Sequence, residues 1–199
     1  MHAVADHEAT EEIIELFDKD RETWGFIPNL ARTFALRPDV YRAWRHLNAA
    51  IKSSMDLRRY ELATVAAAAA LRSSYCTLAH GRVLAERFLS AEAVIQLVAD
   101  RDAAPLDATE RAVVAFAEKI ALHADHVSQD DINELRALGL TDEEIFDVVL
   151  AAAARCFFSK ALDATGTAPD AAFRRLEPDL VEVLTVGRPI AEAIGEATQ

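Results

Sequence analysis

Between Ala63 and Leu71 the chain reads Ala-Thr-Val-Ala-Ala-Ala-Ala-Ala-Leu, a run with almost no polar face. Alanine heads the helix scale and is depleted in strands. The run therefore predicts a helix, and one covered on every side. The rest of the chain agrees. Hydrophobic residues make up 52% of the 199, alanine supplies 40 of them, and Gly and Pro number only six each. Phe and Leu are spread throughout, so burial can offset the entropy of ordering and disorder is excluded. The expectation is an all-α fold forming a single domain over residues 1–199, because no linker composition interrupts it. A second alanine run, Ala151 to Ala154, asks for cover as well. Full burial of two such helices in a domain this small points to a homo-oligomer.

Charge narrows the function. Lys and Arg total 21 against 33 Asp and Glu, a net charge of −12. Phosphate-backbone binding rests on basic side chains, so this balance argues against nucleic acid as a partner and disfavours anionic membrane surfaces too. The apolar stretches Leu62–Leu71 and Val148–Ala154 fall short of the ~20 residues that span a bilayer. The N-terminus, with Glu8, Glu11 and Glu12, lacks the basic and apolar regions of a signal peptide, which makes the cytoplasm the expected location. Two cysteines, Cys76 and Cys156, are too few for a disulfide framework.

Capping and punctuation residues place the helices. Residues 8–22 form an amphipathic helix, followed by an apolar loop, Gly25-Phe26-Ile27-Pro28-Asn29-Leu30. Pro38 opens a helix over 39–53, and Asp56 caps one over about 57–72. The next helix carries Cys76 to Phe88, and Ser90 starts a shorter one to near Asp100. Asp107 with Glu110 makes a capping box for 108–124. Ser128 opens a helix that Gly139 ends. Thr141 and Glu144 cap a long helix to about Thr165, and beyond Pro169 come shorter pieces broken at Pro178 and Pro189. One echo runs through this pattern: Glu61 and Ser73 recur 83 residues later as Glu144 and Cys156, each pair separated by an alanine run ending in arginine. Chance in an alanine-rich chain would produce it, and so would a duplicated helical hairpin with halves related by a pseudo-two-fold axis.

The segment that carries chemistry is Ser73-Ser74-Tyr75-Cys76-Thr77-Leu78-Ala79-His80. With a helix beginning near Ser74, Cys76 lies in its first turn, where unpaired N–H groups and the macrodipole favour a thiolate. His80, at i+4, is on the same face and can take the thiol proton, standing by as an imidazolium. Glu61 can hold that imidazole if the two helices pack antiparallel about a turn near Ser73. Each residue also has a plain reading. Cys76 can be a small buried hydrophobe, His80 a partner for a surface carboxylate, and Glu61 a first-turn acid. His123-Ala124-Asp125-His126 reads as a solvated helix end rather than a metal site, and no cofactor is called for. Trp24, Phe26, Phe34, Tyr41 and Trp44 read as core, or as a cap over the mouth of the site.

The spacing Glu61, Ser73, Cys76, His80 resembles the alkylhydroperoxidase D-like, carboxymuconolactone decarboxylase-like superfamily, whose redox members carry Glu-x11-Cys-x2-Cys-x3-His. Gly25–Leu30, Asp107–Arg111, Val127–Asp131 and Gly139–Ile145 are similar to its peroxidase-related branch, so the resemblance covers roughly 20–170. It implies a duplicated all-α core and a dimer, trimer or hexamer. It further implies that Cys76 attacks peroxide, that His80 and Glu61 relay protons, that Tyr75 fills the position between the two usual cysteines, and that Ser73 replaces the resolving thiol. Serine forms no disulfide, so an oxidised Cys76 would need an external thiol reductant, or Cys156. Cys156-Phe157-Phe158-Ser159-Lys160 also departs from the asparagine-rich signature of that branch. The readings that follow are three: a one-cysteine enzyme acting on a small hydroperoxide, an acid–base enzyme acting on a small cyclic acid, and a non-catalytic ligand-binding or structural oligomer.

Overall fold

The computed structural model describes residue 1 and residues 3–192, and helices account for all regular structure among them. In chain order these are α1 (Glu11–Trp24), α2 (Asn29–Phe34), α3 (Pro38–Ser54), α4 (Leu57–Ala70), α5 (Ser74–Arg87), α6 (Ala91–Ala99), α7 (Ala108–His123), α8 (Gln129–Ala137), α9 (Asp142–Thr165) and α10 (Pro178–Leu184). Single 3-10 turns lie at Asp6–Glu8, Arg101–Ala103, Ala124–His126 and Ala171–Arg175.

The alanine-rich helix α4 is the axis of the molecule, packed by α5, α7 and α9, with α7 and α9 also touching each other. Its small side chains let neighbouring backbones approach closely, and Ala63, Ala67 and Ala68 are fully buried. That burial comes from the chain's own helices. The premise that subunits must cover this helix is therefore not needed for α4, while on α9 Ala153 remains exposed. Helices α6 and α10 pack on each other and on α5, and α3 lies along α9.

The capping signals act where they stand. Asp56 accepts the Arg59 N–H, and Asp107 accepts that of Glu110. Thr141 accepts the Glu144 N–H, and Gly139 takes the left-handed conformation (φ 96°) that ends α8. Beyond Pro169 the short pieces do divide at Pro178, which follows the 3-10 turn at Ala171–Arg175 and opens α10 from its first turn. Two expectations are corrected. The apolar loop at Gly25–Leu30 stops short, because Asn29 begins a short helix, α2. Both echoed segments are helical, in α4 and in the first part of α9, but the turn at Ser73 has no counterpart. Arg72 turns the chain there in the left-handed region (φ 56°), whereas α9 runs on unbroken through Cys156. Pieces expected beyond Glu192 lie outside the described residues.

Candidate functional site

Helices α4 and α5 form the antiparallel pair that the sequence asked for, and the pair brings Glu61 to His80: Nδ1 of the imidazole is 2.6 Å from Oε2 of the carboxylate. Glu61 is almost wholly buried, and its other oxygen receives Lys52 Nζ from α3 at 3.3 Å. Burial works to raise the Glu61 pKa, but His80 and then Lys52 outweigh it, so the carboxyl is held below its ordinary value and stays ionised. An ionised Glu61 accepts from Nδ1–H, which leaves Nε2 as the unprotonated nitrogen. Burial, and then the nearby Arg155 charge, push the His80 pKa down by more than Glu61 holds it up. At neutral pH the ring is therefore a base. It is not the imidazolium counter-ion expected beside the thiol.

Arg155 supplies that missing cation. It projects from α9, is 3% exposed, and donates from Nη1 to Cys76 Sγ at 3.5 Å. A guanidinium cannot be deprotonated in a protein, so its charge at the sulfur is permanent. Cys76 is the third residue of α5, in the turn where unpaired N–H groups also favour an anion. No side chain caps that end: Ser73, the N-cap, makes no capping bond, and its buried Oγ has no hydrogen-bond partner. Arg155 appeared in the sequence only as the end of an alanine run. Its partner is 79 positions away, and no spacing rule reaches that far.

Cys76, His80, Glu61, Tyr75 and Arg155 all line one cavity of about 510 Å³, within the range that small organic ligands occupy. Its apolar wall is Trp24, Tyr41, Trp44 and Phe158, so part of the aromatic cluster does border the site. Phe158 stacks between Trp44 (centroids 4.5 Å) and Phe34 (5.0 Å). Asp20, buried, accepts from Arg45 at 2.7 Å and from the Tyr41 hydroxyl at 3.0 Å, which fixes the far wall.

Tyr75 has its hydroxyl fully engaged. It donates to Asp170 and accepts from the Leu30 N–H at 3.2 Å, and burial, then Asp170, push its pKa well above the ordinary value. The arrangement makes it an anchor for the α2 segment. Cys156 is half-buried on α9, is a free thiol like Cys76, and is not among the residues lining the cavity. Burial raises its pKa, which lowers its thiolate fraction. His123 and His126 stack at 5.6 Å on an exposed helix end.

A family model described as the carboxymuconolactone decarboxylase family matches residues 38–119, from α3 into α7. A search of curated proteins finds no match. Among solved structures, the chain is similar to an uncharacterised peroxidase-related protein with an alkylhydroperoxidase AhpD core from Ralstonia eutropha JMP134. The TM-score is 0.78 at 23% identity, covering 94% of this chain and 97% of that one. A second peroxidase-related protein, from Silicibacter sp. TM1040, gives 0.75 at 23% identity over 83% and 88%. The debrominase Bmp8 in complex with 2,3,4-tribromopyrrole gives 0.73 at 18% identity over 91% and 95%.

Proposed function

From a carboxymuconolactone decarboxylase-family segment set in an alkylhydroperoxidase D-like fold, we propose that this protein is a thiol-dependent oxidoreductase that reduces small hydroperoxides through one cysteine, Cys76. The observation that carries the reading is a cysteine in the first turn of a helix, facing a cavity, with a buried guanidinium on its sulfur and a carboxylate-held neutral imidazole one turn along. His80 takes the thiol proton. The thiolate attacks the terminal peroxide oxygen, the O–O bond breaks, and His80 returns the proton to the departing alkoxide. The products are the alcohol and a Cys76 sulfenic acid. Arg155 stabilises the negative charge at the start and as it passes to the leaving oxygen. An external thiol then returns Cys76 to the reduced state, since Ser73 offers no sulfur.

The test is consumption of cumene hydroperoxide with excess dithiothreitol. Wild-type turnover that vanishes in Cys76→Ser supports the reading, and no turnover by the wild type overturns it. The Glu61–His80 pair favours a second reading, acid–base chemistry on a small cyclic acid, because a base held neutral works without sulfur. Activity on such an acid that survives Cys76→Ser but not His80→Ala would select it. Ligand binding with neither activity would leave a non-catalytic role. We also propose that the protein acts as a homo-oligomer joined through exposed apolar residues of α3 and α9. No described helix is long and apolar enough to cross a membrane.

A further inference from the structure

A second cavity, of about 460 Å³, adjoins the first, and Thr23, Trp24 and Arg82 line both. Beyond that shared wall it is lined by Phe26, Phe173 and Leu176, with Arg175 and Glu86 as further charges. Its two guanidiniums differ from the other cations around the site. Arg45 is engaged with Asp20, Lys52 with Glu61, and Arg155 with Cys76. Arg82 stands over the Trp24 ring at 5.8 Å, its Nε, like that of Arg155, buried without a hydrogen-bond partner. Among the described residues, however, it has no side-chain partner such as Arg155 has in Cys76, and no carboxylate pairs with it or with Arg175. Glu86 sits one turn from Arg82 and is not bonded to it. In a chain of net charge −12, carboxylates are the commonest neighbours available. Two arginines left unpaired on one concavity thus leave fork-shaped donors open to an anion.

We propose that this second cavity docks the reductant, a low-molecular-weight thiol bearing carboxylate groups, with its carboxylates on Arg82 and Arg175 and its sulfur reaching Cys76 past Trp24. The proposal rests on the reading of Cys76 as an oxidisable thiol. The thiol attacks the sulfenic sulfur, an S–S bond forms, the S–O bond breaks, and the hydroxyl leaves as water. A second thiol attacks the docked thiol's sulfur, releasing a small disulfide and reduced Cys76. The apolar wall of Trp24, Phe26 and Phe173 accommodates the methylene stem between charge and sulfur.

Thiol–disulfide exchange tests the docking without peroxide. In a Cys156→Ser background, mixed-disulfide formation at Cys76 is followed by mass with dithiodipropionate, a dianion, and with bis-hydroxyethyl disulfide, its neutral counterpart. Both rates are normalised to those of free cysteine. The expected result is a preference for the dianion of about tenfold, the scale of one charge-assisted contact, falling towards unity in Arg82→Gln/Arg175→Gln. Should the double variant fold poorly, the exposed Arg175→Gln alone reduces the preference, and Arg175→Lys restores part of it. No preference in the wild type, or one unmoved by the arginine variants, overturns the proposal. Loss of the free thiol on adding cumene hydroperoxide, measured on the same samples, reports separately on the peroxidase reading. A protein that prefers the dianion but never reacts with peroxide would lose that reading and keep the anion site.

Discussion

Arg155 and His80 divide between them what the sequence assigned to histidine alone. The imidazole is neutral because burial and the guanidinium outweigh Glu61, and the cation at the sulfur is fixed. Replacing Arg155 with Met should slow iodoacetamide alkylation of Cys76 at neutral pH by about tenfold, the equivalent of one ~1.4 kcal/mol contact, with partial recovery in Arg155→Lys. An unchanged rate would remove Arg155 from the chemistry. The pH dependence has a definite sign. A histidine whose folded-state pKa lies below 6.5 is a competent base above that value. Proton transfer, and any stability His80 contributes, are complete above pH 6.5 and are lost as pH falls through the lowered pKa. Turnover should therefore show an acid limb below that of free imidazole, absent in His80→Gln. Ser73 makes a third case. Its hydroxyl is buried and unbonded, a cost that a small apolar thiol would not incur. Ser73→Cys should melt no lower than the wild type, as followed by circular dichroism, and a fall of several degrees would refute this account of the position.

Whole helices were far more legible than their docking. Capping residues are local, so Asp56, Asp107 and Thr141 announced α4, α7 and α9 within a residue or two. The start of helix α2, Asn29 and Leu30, was read as loop because what holds its N-terminus comes from elsewhere: the Asn29 N–H donates to Asp170, 141 positions on, at 2.8 Å. The Glu61–His80 contact was legible because one turn joins its two helices. Arg155 and Asp170 were not, since each meets its partner only through tertiary packing. The same limit hid the clamp on the N-terminus of α5. There the Gly187 N–H donates to Ser74 Oγ at 2.8 Å, and Thr77 donates to the Leu184 carbonyl. A Cβ on Gly187 would stand 2.0 Å from the Arg72 carbonyl oxygen, a backbone atom that cannot swing aside. Gly187→Ala should therefore lift the C-terminal segment off the cysteine-bearing turn. The expected cost is about 1–3 kcal/mol, seen as a lower Tm and faster alkylation of Cys76. An unaltered melting curve would show that the clamp contributes nothing.

At the scale of the whole molecule, what the chain leaves uncovered argues for a second copy. On α3, Val40, Ala43, Leu47 and Ala50 are exposed at helical spacing, and α9 presents Phe146, Ala153 and Phe157. Phe146 is 58% exposed and Leu47 50%. The two helices lie side by side, with Trp44 and Phe157 in ring contact (5.6 Å) and Ser54 donating to Asp147 at 2.8 Å. Large apolar side chains gathered on one exposed face mark an interaction surface. The chain's charge of −12 opposes the meeting of two such faces, and added salt screens that repulsion while strengthening apolar association. Light scattering should thus give a mass that is a multiple of 21.8 kDa and that holds or grows with salt. Leu47→Glu/Phe146→Glu should return it to that of one chain without lowering the helical signal. A wild type that stays at one chain's mass in both high and low salt would mean that this face meets something other than itself.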